Sequence, residues 1–553
     1  MSGRRITKGF AWNHLYKIAE YGGVNLYAIL VVRKFGPELG GNYAVFLSIT
    51  GTLAIIGAFA VDGVLLRYLP RILGGEREIG EATIEGVRPF LIELLAFRLF
   101  VNLILGLLVV LVLAVLPAYF PSFAVSLGSI SKLWPYVIVF LIGQACVAFS
   151  AFTLMGLLQV KWVFFASLIF RSLLIVAGGL MLMLHHFSLD GAAALFAFST
   201  LGNGILLVYW VYHHVERESA LEFRTEFAHF RRRLKTFALR PSQIRMFILT
   251  PFMLYGVTTW GNDLLSTVLG RQPDILMMRA LLGENARDIG LYESAARIGL
   301  MTEYIFLFGL GGTLVSVFSE LAHADERNGG SFKYPRLLQA RRDISGFQTV
   351  ATSPIFAFML AFSPLVIEVL YGPKFAGAAP MMMGSLILQS LTVIVFGGGM
   401  HITSLVVIGK ERVVFVNRLS WGVANLVANY FLIQSFGGLG AMIGTQCANC
   451  GACATESLFT AKLIGQSLRP ARSSAILAIV VSSVLITYFT VGFLGTQFSS
   501  LVRLLLAGAL MTLLTMGGYI VFRIPEARKV FDKIRSLFVN SDAGSPDVVS
   551  SIP

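Results

Sequence analysis

The chain has 553 residues, 56% of them hydrophobic and 13% charged, with a mean hydropathy of +0.75. This composition excludes a water-soluble surface and describes a membrane protein. The formal net charge of +14 raises nucleic acid as a partner, and the placement of the basic residues decides against it.

Apolar stretches of about 20 residues, long enough as helix to cross about 30 Å of hydrocarbon, recur from end to end. The first is predicted at 11–32, after the basic start MSGRRITK. Lys17 and Glu20 interrupt it and no small-residue cleavage site follows, so this helix is expected to stay in the protein. Asn13, Lys17, Glu20, Tyr21 and Val24 share one of its faces by i, i+3 and i+4 spacing. A turn at 33–43, RKFGPELGGNY, leads to helices at 42–66, 89–116, 133–158, 163–184 and 190–213. Asp62 and Arg67 stand toward the inner end of the second, where Arg67 reads equally as a snorkelling anchor. Glu93 and Arg98, five residues apart in the third, read as an internal salt bridge or as functional charges.

The segment 216–245 is the one long charged connection and reads as a basic cytoplasmic linker on an anionic leaflet. It separates an N-terminal six-helix lobe, 1–215, from a C-terminal one, 246–465. The second lobe begins with helices at 246–270 and 274–318, the latter span holding an outer loop and so counted as the end of one helix and the whole of the next. It continues at 346–370, 378–408, 413–434 and 438–461. Helices at 474–494 and 500–522 fill a region 466–523, and the rest, 524–553, is a cytoplasmic tail whose polar end is expected to be disordered. The fold class is therefore all-α and polytopic, with about fourteen transmembrane helices.

With the N-terminus cytoplasmic, thirty-one basic residues fall on inner segments. The outer side holds Arg33, Lys34, Lys132, Arg271, Arg279, Arg287 and Lys374. The positive-inside rule then places both termini in the cytoplasm. Six cations remain within the spans: Lys17, Arg98, Arg171, Arg297, Arg418 and Arg503. Each costs roughly 2.5–3.5 kcal/mol at a helix centre, so most should face a bundle interior or a wet cavity that attracts anions. Arg503, near the outer end of the last helix, reads as a boundary anchor. Acids accompany them: Glu20, Asp62, Asp274, Glu293 and Glu456 among others, with Glu293 and Arg297 spaced i, i+4.

Other motifs carry less. CANCGAC, with Cys447, Cys450 and Cys453, lacks the fourth cysteine of an iron–sulfur run and sits in a small-residue stretch suited to close helix packing. The pairs His185-His186 and His213-His214 point apart on a helix, so no metal site and no cofactor is expected. No soluble catalytic platform is visible in the short outer loops, which places transport ahead of enzyme chemistry. The turn at 33–43 has a degenerate echo at 279–292, RALLGENARDIGLY, at equivalent outer points of the two lobes, and Phe35-Gly36-Pro37 has one in Tyr371-Gly372-Pro373. A third glycine turn, FGGLG, lies at 436–440. Such repetition points to a chain of two related halves.

The ordered set RKFGPELGGNYAVF, GVLLRYLP, PDILMMRALLG with GLYESAARIG, and FSPLVIEVLYGPKFAGAAPMM resembles the polysaccharide flippases of the multidrug/oligosaccharidyl-lipid/polysaccharide (MOP) exporter superfamily. The similarity runs over about residues 5–520. It implies two six-helix lobes around a central cavity, two further helices, and residence in the bacterial cytoplasmic membrane. Lipid II flippases of the same superfamily carry a tyrosine-alanine-acid-arginine run in the eighth helix. Here Tyr292, Ala295, Ala296 and Arg297 are similar, with Ala296 in place of the acid, so Arg297 alone is carried over. Asp274 matches an acid common near the end of the seventh helix, and Pro273 is expected to bend that helix.

The resulting expectation is a flippase that moves an undecaprenyl-pyrophosphate-linked oligosaccharide to the outer leaflet by alternating access. Lys17, Arg171, Arg297 and Arg418 would hold the pyrophosphate. Tyr21, Asn25, Trp260, Asn262 and Trp421 would contact sugar, while Glu20, Asp62, Asp274 and Glu293 would serve as coupling groups or charge partners. Partners would be the lipid-linked oligosaccharide, membrane lipids, and the polysaccharide polymerase and assembly proteins. Alternatives are a lipid II flippase, a cation-coupled multidrug exporter, a polytopic glycosyltransferase and a scaffold of polysaccharide assembly. The roles of Arg67, Arg98 and Arg503 stay open.

Overall fold

The computed structural model describes residues 3–73, 78–79, 82–83, 86–119, 128–157, 159–185, 187–216, 230–237, 241–283, 286–307, 334–397, 400–464, 473–493 and 498–525, with a few isolated positions between. Most of the linker at 216–245 and the polar tail lie outside these residues. The protein is a multi-pass helical membrane protein: ten described helices are long and apolar enough to cross a bilayer. Large apolar side chains such as Leu513 and Phe489 stand exposed on helix surfaces, as lipid contact requires.

The main helices are α1 (Gly3–Ala58), α2 (Val61–Leu73), α3 (Val87–Val110), α4 (Trp134–Gly156), α5 (Val160–Met183) and α6 (Leu189–Glu216). After the short helix Pro241–Ile248 come α7 (Pro251–Val268), α8 (Arg271–Leu282), α9 (Ala286–Leu307), α10 (Pro335–Ala361) and α11 (Ser363–Tyr371). The chain continues through α12 (Ala378–Ser390), α13 (Met400–Val407), α14 (Glu411–Ile464), α15 (Ser473–Phe493) and α16 (Ser500–Val521). Glu78–Ile79 and Ala82–Thr83 form a small antiparallel ribbon between α2 and α3.

Two helices are too long for one crossing, and a glycine in each marks the fold-back: Gly36 (φ 77°, ψ 178°) in α1 and Gly437 (φ 57°, ψ −134°) in α14. Gly36 closes one helix in a backbone region that costs a β-carbon about 1–2 kcal/mol, and Pro37 restarts the next at once. Gly372 repeats this conformation (φ 90°, ψ 173°) before Pro373. The Phe-Gly-Pro and Tyr-Gly-Pro echo is thus a repeated backbone turn. The expected gap between the first two spans closes for the same reason.

Residues expected as spans seven and eight form three helices, α7, α8 and α9. The break falls at Leu269–Gly270, so Pro273 occupies the first turn of α8, where a missing N–H costs nothing. Pro273 therefore starts a helix rather than bending one.

The chain divides into two compact units. One comprises Gly9–Glu293 with Leu426–Ala441; the other comprises Met1–Lys8, Ser294–Asn425 and Met442–Pro553. Residues 246–293 therefore pack with the first six helices, whereas the sequence reading divides the lobes at the 216–245 linker. In the first unit an aromatic cluster built on Phe90, Phe97, Phe237, Phe247 and Phe252 forms one core. In the second, Val350 of α10 packs with Ile476, Ile479 and Val480 of α15 and Met511 and Tyr519 of α16. The Tyr519 hydroxyl donates to the Val350 carbonyl at 3.3 Å, tying the last helix to α10.

Candidate functional site

Within the first unit, α1 and α5 bring together Lys17, Glu20 and Arg171. Arg171 is 3% exposed and donates to both carboxylate oxygens of Glu20, Nη2 at 2.5 Å and Nε at 3.1 Å. This two-point pairing uses the planar fork of the guanidinium. The Arg171 Nη1 is buried and has no hydrogen-bond partner among the described residues. Gly23, one turn beyond Glu20 on α1, lets the Arg171 stem approach: a β-carbon there would sit 2.4 Å from the Arg171 Cβ.

Lys17 makes no ion pair among the described residues. Its ammonium lies 5.3 Å from the Tyr21 ring centroid and 5.4 Å from that of Tyr16, within cation–π range. Lys17 on this helical face and Arg171 on α5 thus set two cations against one acid. Asn25, two turns beyond Lys17, is buried on the same unit.

Asp62 of α2 is half-buried and takes the guanidinium of Arg98 on α3, which is 2% exposed. The expected Glu93–Arg98 bridge is replaced: Glu93 lies 3.3 Å from Arg233. The i+5 spacing carries the Glu93 and Arg98 side chains to different sides of α3, while α2 lays Asp62 across the buried side. Arg67 stacks its guanidinium 4.1 Å over the Tyr255 ring and remains exposed.

Asp274 is fully buried in the first turn of α8. The Tyr292 hydroxyl of α9 donates to one of its oxygens and the Asn429 amide of α14 to the other, the latter at 2.8 Å. A carboxylate at a helix start also meets unpaired backbone N–H groups, which favour its negative charge. Glu293, 2% exposed, accepts from Arg271 at 2.8 Å. Arg271, counted among outer-loop charges in the sequence, is thus a partner of a buried acid. Asn429 was passed over because it stands alone in an apolar stretch; its i, i+4 relation to Asn425 in NLVANY was the available signal.

Above these groups the glycine turns interlock. A β-carbon on Gly41 would lie 1.9 Å from the Ala286 carbonyl oxygen, and one on Gly290 would lie 1.9 Å from that of Pro37. A β-carbon on Gly437 would lie 2.7 Å from an Asp288 oxygen. The two glycine-tyrosine turns are therefore in reciprocal contact inside one unit.

In the second unit Arg418 and Glu456, on the two passes of α14, pair at 2.8 Å, with Asn417 and Thr455 beside them. Trp421 donates to Thr455 at 3.3 Å and rests on Gly451, where a β-carbon would meet its ring at 2.3 Å. This gives the CANCGAC stretch its packing role. Arg297 is 1% exposed in the middle of α9. Arg503 is half-buried near the start of α16, its Nε without a partner. In the first unit Trp260 donates to the Ile55 carbonyl at 2.8 Å and packs on Phe59, and the half-buried Asn262 leaves its Oδ1 unbonded.

No family model matches the chain, and no curated protein does. Solved structures do. The lipid II flippase MurJ in an inward closed conformation superposes with a TM-score of 0.60 at 14% identity, covering 92% of this chain and 99% of that one. A Vibrio cholerae MATE transporter gives 0.54 at 14% identity, with 84% and 98% covered. A MOP superfamily transporter from Pyrococcus furiosus gives 0.52 at 17% identity, with 83% and 96% covered. At these identities the likeness is one of fold, shared with these transporters.

Proposed function

We propose that the protein is a flippase for a pyrophosphate-linked lipid oligosaccharide, destined for the cell surface and acting in the bacterial cytoplasmic membrane with both termini inside. The observation that carries this reading is the charge balance on α1 and α5. Glu20 neutralises one cation, and Lys17 and the free Nη1 of Arg171 leave donors for a phosphate group. A cation-coupled drug exporter needs the opposite balance, acids and aromatics facing its substrate.

In this reading Lys17 and Arg171 bind pyrophosphate, and Tyr21 and Asn25 contact the first sugar. In the second unit, Arg297 is a further candidate cation, whereas the charge of Arg418 is met by Glu456. Trp260 and Trp421 offer ring faces only, since their N–H groups serve Ile55 and Thr455. Asp274, bonded to Tyr292 and Asn429, is the coupling candidate, and movement of charge across the membrane potential supplies about 2.3 kcal/mol per charge per 100 mV. The lipid tail stays in the bilayer and no covalent step is required.

The test is reconstitution in vesicles with a lipid-pyrophosphate oligosaccharide. Lys17→Gln and Arg297→Ala, each shown to insert, should reduce flipping; full flipping by both would sink the reading. A lipid II flippase is the second reading, favoured by the MurJ likeness. Mass spectrometry of the lipid that co-purifies with the protein separates the two.

A further inference from the structure

Arg98, Arg171, Arg418 and Arg341, all on described membrane helices, are buried or nearly so and have a partner in hydrogen-bond reach. For three the partner is a carboxylate: Asp62 for Arg98, Glu20 for Arg171, Glu456 for Arg418. The fourth, Arg341, differs. It lies in the second turn of α10, is 7% exposed, and its Nη2 meets the imidazole of His401 on α13, itself 3% exposed. His401 is held on its other side by the Phe396 carbonyl. A ring that donates to a carbonyl through Nε2 accepts from Arg341 through Nδ1, so it is neutral. Asp325 accepts from the backbone N–H groups of Arg336 and Leu337, in the turn of α10 before Arg341. Arg341 thus meets a base where its counterparts meet an acid, and its Nη1 is buried with no hydrogen-bond partner among the described residues.

A guanidinium is charged at any accessible pH, and one removed from water without a counter-charge costs several kcal/mol. Arg341 stands six residues into α10, about 9 Å along the helix, where Pro335 begins an apolar crossing segment. Gln348, two turns further along α10 on the same face, is also buried.

We propose that Arg341 and His401 form an anion-binding site in the second unit, taking one phosphate-type oxyanion on the Nη1 edge of Arg341. The planar donor fork favours phosphate oxygens, and His401 fixes the fork's orientation. The phosphate comes from an anionic phospholipid headgroup or from the aqueous phase. The site is independent of the flippase reading, since none of its residues serves that reading.

Two probes on the purified full-length protein, measured in a Lys17→Gln background, distinguish the sources. Inorganic phosphate is titrated calorimetrically in neutral detergent, and phosphatidylglycerol is compared with phosphatidylcholine by native mass spectrometry. One saturable anion per chain is expected. Phosphate binding identifies a soluble anion, and retention of phosphatidylglycerol alone identifies a lipid headgroup. Arg341→Gln should weaken binding about ten-fold or more, about 1.4 kcal/mol. His401→Glu places a carboxylate against Arg341 and should abolish binding with no loss of thermal stability, which keeps the test valid if Arg341→Gln does not fold. The site is refuted if neither probe binds saturably, or if His401→Glu binds as tightly as its parent.

Discussion

The pair Arg418–Glu456 and the pair Arg341–His401 occupy the same compact unit, each bringing a buried or nearly buried arginine against a second helical segment. In the first, opposite charges share hydrogen bonds at 2.8 Å and 3.3 Å and the site is closed electrically. In the second, a neutral ring takes one N–H and the charge remains. A buried cation can thus be tied into the structure geometrically without being neutralised. Only the second arrangement leaves capacity for a ligand.

Mutation should separate the two most sharply at Glu456. Glu456→Leu strands Arg418 in a buried setting and should cost roughly 3–5 kcal/mol in denaturant unfolding, with most of it recovered in the double variant Arg418→Leu/Glu456→Leu. By contrast, Arg341→Met should leave the unfolding midpoint in phosphate-free neutral detergent no lower than wild type, because the charge it deletes has no counter-charge among the described residues. A loss there comparable with Glu456→Leu would break the comparison.

Gly290→Ala tests rigid packing in place of charge. Its β-carbon must displace the Pro37 backbone, so a cost of about 1–3 kcal/mol is expected, read as a lower melting temperature and faster proteolysis at the 33–43 turn. Tyr292→Phe removes one donor from fully buried Asp274 and should cost about 1–3 kcal/mol, with Asn429→Ala similar. Smallest in stability is Lys17→Gln, within about 0.5 kcal/mol because Lys17 forms no ion pair among the described residues. Its effect should appear in flipping, which separates a substrate contact from a structural one.

Much of the candidate site was legible from charge and helical period. Lys17, Glu20 and Tyr21 share a face because i, i+3 and i+4 residues do so on any α-helix, and that prediction needs no tertiary information. Partner choice was not legible. Glu93 lies nearer Arg98 in sequence than Asp62 does, yet the packing of α2 on α3 selects Asp62. Arg271 and Arg341 were assigned to connecting segments because a hydropathy pattern cannot distinguish the last polar turn outside a membrane from the first buried turn within it. His401 carries no local signal and Asn429 only its i, i+4 relation to Asn425, since a polar residue in an apolar helix acquires meaning chiefly from what another helix places against it.

The sequence by itself determined that this chain is a helical membrane protein, which residues bear charge inside it, and where glycine and proline turn it. Those follow from transfer free energies and backbone sterics, which act residue by residue. Tertiary structure alone decided which charges cancel. Electrostatic energy in a low-dielectric interior depends on distances of a few ångströms between segments far apart in the chain, and only packing sets those distances.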